Sequence, residues 1–229
     1  MKLYVYCLTE GVDALPQKLT GIGGAEVRLL QTENLSLLVS DFSGDVVPIY
    51  SENALVHAAV VRSVLDQTTP LPFRFGTLVT EEQLRNYVTA RREALLANLA
   101  RVRGCVEMSV KIILELKDQQ PGQTAVEKPG TAFLLEKRRE ILGSEEIASW
   151  LSERLGDSVR GTRINTIVAD KLLLSAAHLV ERESVAQYRQ LLKQARAERP
   201  ELKILTSGPW PPYSFANIDL EFQTQFGVS

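Results

Sequence analysis

The sequence predicts an α+β fold in two domains, and three observations carry that prediction. Residues Gly104 to Leu116 show the clearest alternation in the chain, with Val106, Met108, Val110, Ile112, Leu114 and Leu116 on one face and Cys105, Glu107, Ser109, Lys111 and Glu115 on the other. A period of two marks a strand with one apolar side. Just upstream, Leu84, Val88, Leu95, Leu99 and Val102 recur at helical spacing instead. Downstream, residues 117–130 contain two Pro-Gly dipeptides and no periodicity, so they read as an exposed loop or linker. The expected division is residues 1–116, a linker at 117–130, and residues 131–229, with the strand at 105–116 open to assignment to either half.

The elements follow in order. Residues 2–8 form a strand with Leu3, Val5 and Cys7 on one face and Tyr4 and Tyr6 on the other. The glycine-rich stretch from Gly11 to Gly24 is loop, and two short strands at 25–30 and 35–41 flank a polar turn. Ser51 is a helix N-cap candidate, with Ala54, Ala58, Val61 and Leu65 at helical spacing behind it. Pro70 and Pro72 exclude a helix and put residues 70–79 in extended chain at a sheet edge. Thr80-Glu-Glu-Gln83 matches a capping box, and Gly104 suits the end of the helix that the box begins.

In the second half, a helix at 131–155 precedes a hairpin of 162–169 with 171–181. The second strand of that hairpin is apolar on both faces, which predicts a central position. A helix at 184–198 ends at Pro200, and a strand at 202–206 leads into Gly208-Pro-Trp-Pro-Pro212. From Cys105 onward the order is strand, helix, strand, strand, helix, strand, the split βαβ pattern of a ferredoxin-like sandwich.

Composition narrows the function. The chain has 229 residues, 45% hydrophobic and 24% charged, ordinary proportions for a packed globular protein. A net charge of -2 argues against nucleic-acid binding, which requires a concentrated basic face. There is no apolar run long enough to span a membrane, and the N-terminus alternates instead of forming a signal core, so a cytoplasmic location is expected. Cys7 and Cys105 have no metal-binding spacing and read as small buried hydrophobes. His57 and His178 lie on a helix and a strand, away from any nucleophile elbow. Gly21-Ile-Gly-Gly24 lacks the remaining features of a phosphate-binding loop. These patterns name no catalytic residue, no metal and no cofactor.

Two groups stand out as binding candidates. Arg74 is a guanidinium flanked by Phe73 and Phe75 on an extended segment, and Glu107 and Lys111 on the polar face of the 105–116 strand are candidates to meet it. Such a cluster fits either an internal ion-pair set that fixes packing or a carboxylate-recognising one. The second group is Ser207-Gly-Pro-Trp-Pro-Pro-Tyr-Ser-Phe215, whose prolines present Trp210, Tyr213 and Phe215 at low entropic cost. These aromatics either plug a groove of the chain itself or anchor a partner.

At these residues the chain resembles the gas vesicle GvpF/GvpL family. The resemblance rests on Leu71-Pro-Phe-Arg-Phe-Gly-Thr77, on Gly104-Cys-Val-Glu107 running into Val110-Lys111, on Phe133-Leu-Leu-Glu-Lys-Arg138, and above all on Gly208-Pro-Trp-Pro-Pro-Tyr-Ser-Phe215. It implies two domains, the first a modified ferredoxin-like fold, and an accessory or minor structural protein without enzymatic activity. The implied partners are the small major shell protein and other gas vesicle proteins, and the implied location is cytoplasmic, at gas vesicles. Arg74, Trp210, Tyr213 and Phe215 are then the partner-binding candidates. A small-molecule-binding regulatory module of ferredoxin-like type is the alternative expectation.

Overall fold

The computed structural model describes residues 1–15, 17–32, 34–114, 145–164 and 172–218. Contacts divide the chain into two units, Met1–Val106 with Trp210–Ser229, and Glu107–Pro209. The division differs from the expected one. The second sheet takes most of the 105–116 strand, and the chain from Trp210 onward groups with the first unit. The linker at 117–130, the helix start at 131–144 and the hairpin turn at 165–171 lie outside the described residues.

The first unit is built on β1 (Lys2–Glu10), whose residues from Leu3 to Leu8 are all buried. β1 lies between β3 (Leu35–Phe42) on one side and β4 (Leu71–Pro72) and β5 (Leu78–Val79) on the other. β2 (Val27–Thr32) pairs with β3 at the far edge, and all these pairings are antiparallel. The proline-bearing segment thus takes the edge that its missing amides require. A register shift between Val5 and Cys7 in the pairing with β3 places one extra residue in β1. An extra residue changes the side-chain parity of a strand. Cys7 therefore joins Tyr4 and Tyr6 in one core cluster, where strict alternation would have put it with Leu3 and Val5.

α1 (Ser51–Ser63) supplies His57, Val60 and Val61 to the interior. Of the expected stripe, Val61 and Leu65 are buried, whereas Ala54 and Ala58 are exposed. Valine buries more apolar area than alanine, so the helix turns its valines inward. Ser51 is the first helical residue, not the cap, and Tyr50 precedes it without a side-chain cap bond. The Thr80–Gln83 capping box is present in full, with bonds of 3.2 and 2.9 Å. The helix it opens is divided at Arg91 into α2 (Glu81–Ala90) and α3 (Arg92–Val102). The apolar stripe lapses there, because Arg91 and Arg92 occupy the turn between Val88 and Leu95. Gly104, just past α3, has φ +72°, the left-handed geometry that ends helices.

The second unit holds β6 (Cys105–Leu114), α4 (145–155), β7 (Gly161–Ile164), β8 (Leu172–Glu181), α5 (Val185–Glu198) and β9 (Leu202–Trp210). The sheet order is β7-β8-β6-β9. Met108, Val110 and Ile112 of β6 form one core with Ile147, Leu151 and Leu155 of α4 and with Tyr188, Leu192 and Ala195 of α5. The alternation that identified β6 is therefore the side on which both helices lie. β8 is central, as its two apolar faces predicted. β9 runs on to Trp210 and takes an edge, where Pro209 is tolerated.

Gly21 shows how closely the first unit is packed. A Cβ there would stand 2.1 Å from the Tyr6 hydroxyl oxygen. That hydroxyl cannot move aside, since it accepts the Ile22 amide at 2.8 Å and bonds Ser40 Oγ at 2.9 Å. Gly21→Ala is expected to lower stability by about 2 kcal/mol, read as a fall in the urea midpoint at unchanged slope. An unchanged midpoint would show that Tyr6 repacks freely.

Candidate interaction surface

The aromatic segment after β9 is fixed by its own unit. The Arg62 guanidinium lies 5.5 Å from the centre of the Trp210 ring. The Tyr213 ring sits 6.2 Å from that of His57. Phe215 is buried in a 3-10 turn, Tyr213–Phe215, and its carbonyl accepts a hydrogen bond from the Arg101 guanidinium. Trp210 and Tyr213 each remain 40% exposed. Phe215 is 3% exposed, so it pins the segment from within and is not a surface anchor. This corrects its place among the partner-binding candidates. Phe222 and Phe226 lie outside the described residues.

Arg74 is exposed in the first unit, in the turn between β4 and β5, where its carbonyl accepts from the Thr77 hydroxyl at 2.7 Å. Glu107 is buried and Lys111 exposed, both on β6 in the second unit.

Sequence patterns did not single out the buried tyrosine–histidine pairs. Tyr4 Oη lies 2.8 Å from His57 Nδ1, and Tyr188 Oη 2.8 Å from His178 Nδ1. Each joins a helix to a sheet: β1 with α1, and β8 with α5. The Tyr4 oxygen also accepts the Gly76 amide at 3.2 Å. Burial lowers both histidines from 6.5 to about 4, the Phe73 backbone opposing this at His57. Burial likewise pushes up the Tyr4 and Tyr188 hydroxyls and the Cys7 thiol, which leaves that thiol unreactive. A helix-spaced pairing across elements leaves no local signal, which is why only the tertiary structure reveals it.

Also unmarked by sequence patterns was a cluster of exposed apolar side chains, Val46, Ile49, Tyr50 and Leu55, around the start of α1. A usable signal existed. Leu55 falls outside the inward stripe of its helix, and three large apolar residues crowd the loop before it. Among the described residues no three or more of His, Cys, Asp and Glu gather to hold a metal ion. Among them, too, no helix is long and apolar enough to cross a membrane.

The fold and surface define a two-unit α+β protein that presents rigidly held aromatic side chains on its exterior. The chain belongs to the family described as gas vesicle synthesis protein GvpL/GvpF, whose pattern matches residues 2–217. It is 28% identical over 230 residues to gas vesicle protein F1 of Halobacterium salinarum, covering 98% of this chain and 97% of that one. It is 29% identical over 250 residues to gas vesicle protein L of a Streptomyces species, covering 94% and 92%. The crystal structures of GvpF from Anabaena sp. and from Microcystis aeruginosa share its fold, with TM-scores of 0.80 and 0.77. Each is 20% identical and covers 95% of this chain and 99% of the other.

The two histidines set an acid sensitivity. A buried histidine with a lowered pKa stabilises the fold fully above its unfolded value of 6.5, and that stability is lost as pH falls toward about 4. From about pH 7.5 to 5 each should cost roughly 2 kcal/mol. Urea unfolding across that window is expected to show the loss, halved in His57→Gln. A flat profile would mean that water reaches both rings.

Proposed function

We propose that this chain is a non-enzymatic assembly protein of gas vesicles that binds the small major shell protein and keeps it from aggregating before or during polymerisation. A shell subunit with one gas-facing apolar side is unstable in water, and a protein with a fixed, exposed aromatic surface meets that need. The observation that carries the reading is the Trp210–Phe215 segment. Phe215 and Arg101 fix its position, while Trp210 and Tyr213 stay exposed, so little side-chain freedom is lost on binding. Arg74, exposed on the same unit, is a further contact candidate. Other gas vesicle proteins are further partners, and the protein works in the cytoplasm, at the growing vesicle.

The fold reading belongs to this proposal. Strands β6 to β9 taken in chain order lie in the arrangement β9-β6-β8-β7, with both helices on one face, which supports a ferredoxin-like sandwich for the second unit. The first unit, with strands added around β1, is the modified version.

Deleting the gene should abolish or deform vesicles, and the purified chain should capture the shell subunit. Trp210→Ala is expected to weaken capture by about tenfold or more while its unfolding curve stays close to wild type. Normal vesicles in a clean deletion, or equal capture by the variant, would overturn the reading.

A further inference from the structure

Within the first unit, the exposed side of α1 is apolar between Glu52 and Arg62. Val46, Ile49, Tyr50 and Leu55 are 65%, 76%, 67% and 69% exposed, the densest such set among the described residues. Ala58 and Ala59 continue it along the helix. The loop that carries the first three is held in place. Val47 is in the core, Lys2 Nζ pairs with Asp45 at 2.9 Å, and Asn53 Nδ2 bonds the Pro48 carbonyl at 3.0 Å. A fixed apolar surface is a contact surface, because water penalises it and no loop ordering offsets the gain on covering it.

The charges identify what covers it. α1 contains two formal charges, Glu52 and Arg62, both exposed, one near each end. Ten residues place them about 15 Å apart along the axis, with residue 57 at the midpoint. A second α1 laid antiparallel about a two-fold axis at that midpoint brings Glu52 to the partner's Arg62 and Arg62 to the partner's Glu52. The same operation sets Leu55 against the partner's Ala59, a large side chain over a small one, twice. Tyr50 and Ile49, beyond the helix start, then reach the end of the partner helix. A surface that meets itself under a two-fold axis must be self-complementary in shape and charge, and the placement of Glu52 and Arg62 meets the charge requirement.

We propose that the exposed face of α1 is a homodimer contact, with a second copy of this chain packed antiparallel against it. Stacking beneath Trp210 holds the Arg62 guanidinium at the surface for its part in the pair. The contact lies on α1, and the proposed capture surface begins beside it at Trp210.

Sedimentation of the full chain up to about 100 µM tests it. The wild type should dimerise. Glu52→Arg and Arg62→Glu should each weaken the dimer about tenfold, by placing like charges opposite one another, and the double swap should restore it. Leu55→Asp should leave a monomer with an unchanged unfolding curve. A wild type that stays monomeric throughout overturns the proposal, as does a dimer indifferent to the single swaps or to Leu55→Asp. If the wild type is monomeric and Leu55→Asp loses shell-subunit capture, the face belongs to that client and the dimer is refuted.

Discussion

Each unit ties a helix to its sheet with a polar bond inside the core, a tyrosine hydroxyl at 2.8 Å from a histidine Nδ1. In the first unit it joins β1 to α1, and in the second it joins β8 to α5. Apolar contacts alone would let a helix slide or rotate over its sheet at little cost, since the hydrophobic effect has no direction. A buried hydrogen bond does have direction, and breaking it strands two polar groups away from water. The Tyr4 hydroxyl adds the Gly76 amide, so the same atom also positions the turn between β4 and β5. The orientation of α1 follows from this anchor: with His57 committed inward beside Val60 and Val61, Leu55 and all three alanines are left facing out.

The return of the chain to its first unit rests on a similar mixture of contacts. Phe215 supplies apolar burial, the Arg101 guanidinium satisfies its carbonyl, and Arg62 and His57 meet the two exposed rings. Prolines at 209, 211 and 212 limit the conformations open to the segment before it docks, which reduces the entropy lost on docking. A short, stiff piece of chain thus arrives with two aromatics facing out and one facing in. Elsewhere in the two units the buried histidines are held neutral and the Cys7 thiol is held protonated.

Much of the fold was legible because it is local. The capping box at Thr80, the edge position of the proline-bearing strand, the alternation of β6 and the two-faced burial of β8 are each written within a few residues. Where local reading went astray, a second element had altered the outcome. Cys7 changed faces because β1 accommodates an extra residue against β3. α1 buries Val61 of the predicted stripe but turns Ala54 and Ala58 out, because His57 is anchored inward to Tyr4. The helix after Thr80 divided at Arg91, where two charged side chains interrupt the apolar stripe.

The candidate site divides in the same way. Composition alone marked Trp210 and Tyr213, because a run of prolines around aromatics is unusual wherever it occurs, and the same run carried the family likeness. That Phe215 points inward, that Glu107 is buried while Lys111 is exposed, and that Val46, Ile49, Tyr50 and Leu55 form one exposed cluster were settled only by tertiary structure. By itself the sequence determined the elements, their order and the family, since periodicity, caps and motifs are properties of neighbouring residues. Tertiary packing decided which face of each element met water, because burial is a competition among surfaces far apart in the chain.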